Sequence, residues 1–251
     1  MCLIAHSDLR QIGAWQSDAQ DVSLAHADLR DAALGGAIGR TANRYSRVDF
    51  TRANLTNAGH SFEEYEDCDF SHARLKEVNF DGARFRRCRF AGVLDSVLFR
   101  LHPANTPLPL GPWEKRVDPK SFANPMEQVD YSNAELRGVD FDGVDLSTCL
   151  FPADGNHLVI PQQLEVFRAA REVVAREWAG KEREVAIDLL DAMYLSIDRL
   201  EGSFMTPEKL EQPIQVVNRK DFQEWFDPGP GERLYRILEK LVEEDRSRAR
   251  S

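Results

Sequence analysis

The chain has 251 residues, with 32 Lys+Arg against 42 Asp+Glu and a formal net charge of −10. Such acidity argues against a general nucleic-acid or anionic-membrane binder, since both need a basic footprint. At 42% hydrophobic and 29% charged residues, the composition is that of a folded globular chain with room for one or two domains.

The first segment, MCLIAHSDLR, turns polar too early for a signal peptide. No apolar run approaches the roughly 18 residues a membrane span needs, so a cytoplasmic location with no membrane contact is the expectation. The four cysteines, Cys2, Cys68, Cys88 and Cys149, form no CxxC pair and are too scattered for a disulfide framework or a zinc site.

Reading on, the dominant signal is a period of five. Leu24, Leu29 and Leu34 follow Val22, Ala27 and Ala32 by two residues each. From Tyr45 the large residue recurs at Phe50, Leu55, His60, Tyr65, Phe70, Leu75, Phe80, Phe85 and Phe90. A mostly small series runs two residues ahead: Ala53, Ala58, Cys68, Ala73, Val78, Ala83, Cys88 and Val93. The pattern returns at Tyr131, Leu136, Phe141, Leu146 and Phe151. Helical and strand periods of 3.6 and 2 both fail here. Five residues with two pointing inward require a chain that turns a corner in every block.

These blocks, with Ala27-Asp28-Leu29, Ala53-Asn54-Leu55 and Ala134-Glu135-Leu136 close to the consensus A(D/N)LXX, resemble the pentapeptide repeat family over roughly residues 5–151. The resemblance implies a mainly β fold, a right-handed quadrilateral β-helix with four blocks per coil. Residues twenty apart then become neighbours at about the inter-strand spacing of 4.8 Å. On that rule Cys68 and Cys88 stack as buried free thiols, and His60 stands in for a core aromatic. Glu63, in a small-residue slot, marks a distorted corner where the carboxylate reaches water. Phe50, Leu55, Phe70, Leu75, Phe80, Phe85, Phe90, Tyr131, Leu136, Phe141 and Leu146 form the expected core.

The period breaks twice. Between Leu34 and Tyr45 the phase slips by one residue, which predicts a short bulge or loop. Residues 100–128 hold six of the twelve prolines, a density no β ladder tolerates, so this segment is expected to leave the coil. It reads either as a cover anchored by Trp113 and Phe122 or as a partner-contacting loop, with a polyproline ligand at Pro109 to Pro112 a weaker option.

After Phe151 helical periodicity takes over, so domains of 1–151 and 152–251 are expected, the second an α-helical module. One helix opens at Pro161 and ends at Gly180. A second covers Glu182 to Leu200 with Val185 and Leu189 on its apolar stripe, and a short one covers Lys220 to Phe226. The last starts near Glu232, and its charged tail frays.

No Walker, GxGxxG, HExxH or GxSxG motif occurs, so no enzyme, cofactor or metal is expected. The expected function is a protein-binding scaffold for another protein, with a homodimer through the C-terminal helices as a further option. The family supplies the alternative, since some members imitate duplex DNA and bind gyrase. Stacking argues against a continuous anionic stripe: Arg44, Glu64 and Arg84 share one column, Arg47, Asp67 and Arg87 another, and Glu66 lies over Arg86. Candidate interaction residues are Trp113 and the last coil's Asp130, Glu135, Asp140, Asp142 and Asp145, which face only Arg137. Charge divides evenly, −5 in residues 1–151 and −5 in 152–251.

Overall fold

The computed structural model describes residues 2–38, 41–103, 118–191, 214–225 and 228–248. It divides into two compact units, Met1–Pro152 and Ala153–Ser251.

Unit 1 begins from a local backbone event. Arg47, Arg52, Asn57, Phe62, Asp67, His72 and Glu77 all have φ between 53° and 70°, one every five residues, and His6 to Asp31 show the same spacing. A non-glycine residue in this left-handed region costs about 1–2 kcal/mol, so each corner needs support. Where the residue ahead of the large side chain is Asp or Asn, its side chain supplies it. Asp49 Oδ1 accepts the Thr51 N–H at 2.9 Å, Asp69 Oδ1 that of Ser71 at 2.8 Å, and Asp130 Oδ1 that of Ser132 at 2.8 Å. These are Asx turns, which is why Asp and Asn favour the slot.

Corners spaced by five bring segments twenty residues apart into parallel ladders, and unit 1 is a parallel β-helix. One ladder runs β2 (Asp18–Gln20), β6 (Arg44–Ser46), β8 (Glu64–Glu66) and β10 (Arg84–Arg86). A second runs β7 (His60–Ser61), β9 (Asn79–Asp81), β12 (Leu98–Arg100) and β14 (Asp140–Asp142). Single bridges make the other two, one through Ser23, Asp49, Asp69 and Arg89, the other through Asp8, Asp28, Asn54 and Arg74. β11 (Arg89–Asp95) and β13 (Asp130–Arg137) extend these ladders into the following coil.

Stacking puts like side chains over like. Phe50, Phe70, Phe90, Tyr131 and Phe151 form one column, with ring centroids 4.8 to 5.6 Å apart. Tyr45, Tyr65 and Phe85 form a second at 5.1 Å per step, and Phe80, Phe99 and Phe141 a third. Leu55, Leu75, Leu136 and Leu146 are buried with them. Edge-to-face contacts join the columns, as between Phe50 and Tyr65, so the interior is one aromatic core.

The breaks differ from the sequence expectation in size. Ser23 pairs with Asp49, a spacing of 26 where Asp49 to Asp69 is 20. The first insertion is thus six residues, and a period of five registers only one of them. It contains the hairpin β4 (Ala37–Ile38) with β5 (Thr41–Ala42). A deletion also went unseen: Phe99 pairs with Phe80, nineteen apart. As a result Val93 is 45% exposed and Leu94 takes the inward place.

Unit 2 is not purely helical. An antiparallel ribbon, β15 (His157–Pro161) with β16 (Ile214–Asn218), accompanies α1 (Gln163–Glu177), α2 (Gly180–Leu190), α3 (Arg219–Trp225) and α4 (Pro228–Arg248). Pro161 closes a strand instead of opening a helix, because HLVIP is a short apolar run that pairs with IQVVN. The α2 stripe is Ala186 and Leu190, with Val185 39% exposed, and residues 192–200 lie outside the described set. Its core joins Phe167, Val174, Phe222, Leu234, Tyr235 and Leu238. α4 stays helical through Arg248, so the charged tail does not fray within the described residues.

Truncating a central aromatic should be costly. Phe70→Ala is expected to destabilise unit 1 by about 3–5 kcal/mol in chemical denaturation, against about 0.5 kcal/mol or less for Val93→Ala.

Candidate functional site

Both insertions leave the coil at the same corner. The last rung before the first is Gly36 N–H to Ser61 O, and before the second Leu101 N–H to Asp142 O. Phe62 occupies that corner on the coil between them, donating to Asp81 O. The second excursion closes at its base through Asn124 N–H to Leu101 O, 2.7 Å. Its returning end packs back: Phe122 lies edge-on to Phe62 at 5.1 Å, beside Ala42 of the first excursion. The Arg84 guanidinium covers the other side of Phe122 at 5.3 Å. Gly82, with φ of 73°, fits here because a Cβ would come within 2.7 Å of Pro103 Cβ. Phe122 therefore anchors the segment as expected, while Trp113 lies outside the described residues.

A polar column runs beneath this corner. Asn43, Glu63 and Ala83 immediately precede β6, β8 and β10, and Asn124 stands three residues before Glu127, the bridge partner of Arg86. Asn43 Oδ1 accepts the Ser17 N–H at 2.9 Å, and its amide donates to Ala14 O and Leu34 O at 2.6 Å each. Asn124 Oδ1 accepts the N–H of Phe85 at 3.1 Å and of Met126 at 3.0 Å. Where an excursion removes a ladder partner, a side-chain amide replaces it.

Glu63 corrects the sequence reading, since its carboxyl is fully enclosed rather than turned to water. Oε1 accepts the Ser61 N–H at 2.8 Å and sits where Gly35 has no side chain; a Cβ there would overlap it at 1.9 Å. Burial pushes the Glu63 carboxyl up to about 8. His60 is enclosed too, with Nδ1 2.9 Å from Tyr65 Oη and its ring 4.5 Å from Phe80, and burial drives it down to about 3.

Outside this corner the charges interleave. Glu64 binds both Arg44, at 2.8 Å, and Arg84. Arg87 binds Asp67 at 2.8 Å and also Glu66, and it holds the Asp67 carboxyl below its usual range. Two expected columns are redrawn: Arg47 reaches down to Asp21 at 2.7 Å, and Arg86 up to Glu127 at 3.2 Å. In each case the guanidinium takes the carboxylate of the coil on its other side. A groove of about 340 Å³ lined by Gln16, Ser17, Asp18, Ala42, Arg44, Glu64 and Arg84 borders this face.

The last-coil acidic residues do not converge. Asp130 continues the ladder of Arg89, Glu135 pairs with Val93, and Asp140 and Asp142 pair with Leu98 and Arg100. Residues five apart occupy successive faces, so with Asp145 they form a belt. Arg137 pairs with Glu135 at 2.9 Å, but it is not their only cation, since Arg100 approaches Asp142 at 3.7 Å.

The family model for pentapeptide repeats matches residues 66–93. Residues 66–93 are thus similar to pentapeptide repeats. Among solved structures, this chain is similar to QnrB1, a plasmid-mediated fluoroquinolone resistance protein, at 18% identity over 56% of this chain and 61% of that one, TM-score 0.33. HetL from Nostoc sp. strain PCC 7120, involved in heterocyst differentiation regulation, matches at 16% identity over 60% and 70%, TM-score 0.22. A pentapeptide repeat protein of the Arabidopsis thaliana thylakoid lumen matches at 15% identity over 59% and 73%, TM-score 0.19. The chain thus spans about three fifths of QnrB1. The comparison with curated proteins returned no match. Among the described residues no group of three or more His, Cys, Asp or Glu is placed to hold a metal, and no helix is long and apolar enough to cross a membrane.

The amide column is directly testable. Asn124→Ala leaves the enclosed N–H groups of Phe85 and Met126 without their acceptor, and it should lower unfolding free energy by about 1–3 kcal/mol in denaturant titration. Ala83 already fits the same column, so loss of packing alone would give less.

Proposed function

We propose that the pentapeptide repeat unit is a non-enzymatic scaffold that binds another protein, not nucleic acid or a membrane, through the face bearing the two excursions. The observation that carries this reading is their common origin: segments that leave the coil after Gly36 and after Leu101 emerge at one corner and meet at Phe62. Rigid scaffolds that present irregular segments commonly recognise partners with them. The flanking face supports a protein partner, because its arginines and carboxylates alternate and offer a patterned surface in place of a single-sign field. The coil is proposed to close as a right-handed square, with repeat and helical domains at 1–151 and 152–251 and a cytoplasmic location. Homodimerisation through the C-terminal helices, and contacts by Trp113, belong to the same proposal.

Non-enzymatic use is supported by the commitment of the repeat's acidic side chains to corners, as Asp49, Asp69, Asp130 and Asp145 hold backbone N–H groups. The competing reading is a DNA mimic acting on gyrase, and QnrB1's printed role in fluoroquinolone resistance is its motive. Interleaved arginines weigh against it, as does the distribution of Asp130, Glu135, Asp140, Asp142 and Asp145 around a belt. Exposed pairs contribute only about 0–1 kcal/mol each, yet they cancel the field a mimic requires.

A titration of purified gyrase separates the two. The scaffold reading expects unchanged supercoiling to large molar excess; inhibition, or relief of quinolone poisoning, that fades with added salt establishes the mimic instead. In parallel, affinity capture with the intact protein should retain a partner that a variant lacking residues 104–117 does not.

A further inference from the structure

The corner Ser61–Glu63 holds three things together. Ser61 O accepts the last N–H before the first excursion, from Gly36, at 2.8 Å. Phe62 seats Phe122 of the second excursion and Ala42 of the first. Glu63 stabilises the turn by accepting the Ser61 N–H, with its carboxyl packed against Gly35 where the first excursion departs.

That carboxyl has no exposure, and its Oε2 has no hydrogen-bond partner. The Ser61 and Glu63 backbone N–H groups favour the carboxylate, but the side chains facing it supply no counter-charge. From β7 it meets His60, whose Nδ1 is 3.8 Å from Oε1 and which burial keeps neutral. Tyr45 on β6 and Tyr65 on β8 are buried phenols, and Asp81 on β9 adds repulsion. Arg100 approaches Asp81 at 3.6 Å and Asp142 at 3.7 Å. The Glu64, Glu66, Arg44 and Arg84 side chains are partly exposed and pair outside the coil. The neighbouring position in the next coil is Ala83. A carboxylate without a counter-charge does not persist in such a place; it stays protonated or draws in water.

We propose that the Ser61–Glu63 corner is a proton-dependent clasp, holding Ala42 and Phe122 against Phe62 while Glu63 is protonated and releasing them when it ionises. Ionisation requires hydration of the carboxylate, and water reaches it only by displacing the Gly35–Ser61 contact and the Phe62 corner. The folded state holds its proton more tightly than an unfolded chain would. The clasp is therefore complete below the ordinary carboxylate range and is lost as pH rises through about 8.

Trypsin reads the clasp in the intact protein, since the Lys120–Ser121 bond lies in the short helix Pro119–Phe122 that ends on Phe122. Cleavage after Lys120, normalised to trypsin's turnover of a small peptide at each pH, is expected to rise about tenfold between about pH 7 and 9.5. Glu63→Gln and Glu63→Ala should show no such rise, and Asn43, Asn124 and Ala83 show that both residue types fit the column. A flat profile in the native protein, or the same rise in either variant, overturns the proposal. A carbon-13 titration of the Glu63 carboxyl must share the cleavage midpoint, and a midpoint in the ordinary carboxylate range overturns it equally.

Discussion

Everything in unit 1 rests on a corner made once every five residues. Each corner places a residue in the left-handed region, at Arg47, Arg52, Asn57 and onward, and this is unfavourable by itself. Two interactions offset it. The Asx turn fixes the corner locally, and the ladder fixes it globally, because a corner in the right place lets the backbone pair with coils on both sides. Neither works without the other, so a single coil would not fold. The period is therefore stricter than any residue preference: His60 and Met126 are accepted inside, while a slip of one residue puts Val93 outside.

Exact stacking also decides what the interior can contain. In-register columns place each ring about 5 Å from its copy, which suits offset stacking and explains the run of phenylalanines between Phe50 and Phe99. The cysteines follow the same logic. Cys68 Sγ donates to Tyr45 O at 3.3 Å, Cys88 to Tyr65 O at 3.4 Å and Cys149 to Met126 O at 3.2 Å, each twenty-three residues back. A thiol there fills a small slot and supplies a weak donor to an inward carbonyl, more than the small hydrophobe that the sequence suggests.

Particular residues show what was legible. The repeat and the aromatic columns follow from spacing, while the Phe122 anchor was one of two readings of the proline-rich segment. The first insertion was misjudged because six residues and one residue shift a five-residue phase equally. Glu63 was misjudged because a polar residue in a small slot reads as a corner open to water. Its explanation lies at Gly35, twenty-eight positions earlier, and the sequence gives no sign of that meeting. A better signal was present, since Asn43 and Glu63 interrupt one column beside a phase slip. The ribbon of His157–Pro161 with Ile214–Asn218 was hidden because five apolar residues suit strand and helix alike.

The same periodicity governs how charge on such a coil is to be read. Carboxylates five apart, such as Asp130, Glu135, Asp140 and Asp145, look clustered in sequence but are carried to successive faces. Charges twenty apart, such as Arg44, Glu64 and Arg84, look unrelated and become neighbours. A face's field is thus set by the sum over every twentieth residue, corrected for the insertion and the deletion, and the net charge of −10 carries little of that information. Arg47 and Arg86 each have a carboxylate available from the coil on either side, and they choose Asp21 and Glu127. Alternation along a column therefore neutralises a face whichever direction the side chains lean. What remains distinctive on that face is its relief: the two excursions, brought to one corner by an accident of sequence spacing that only the coil makes visible.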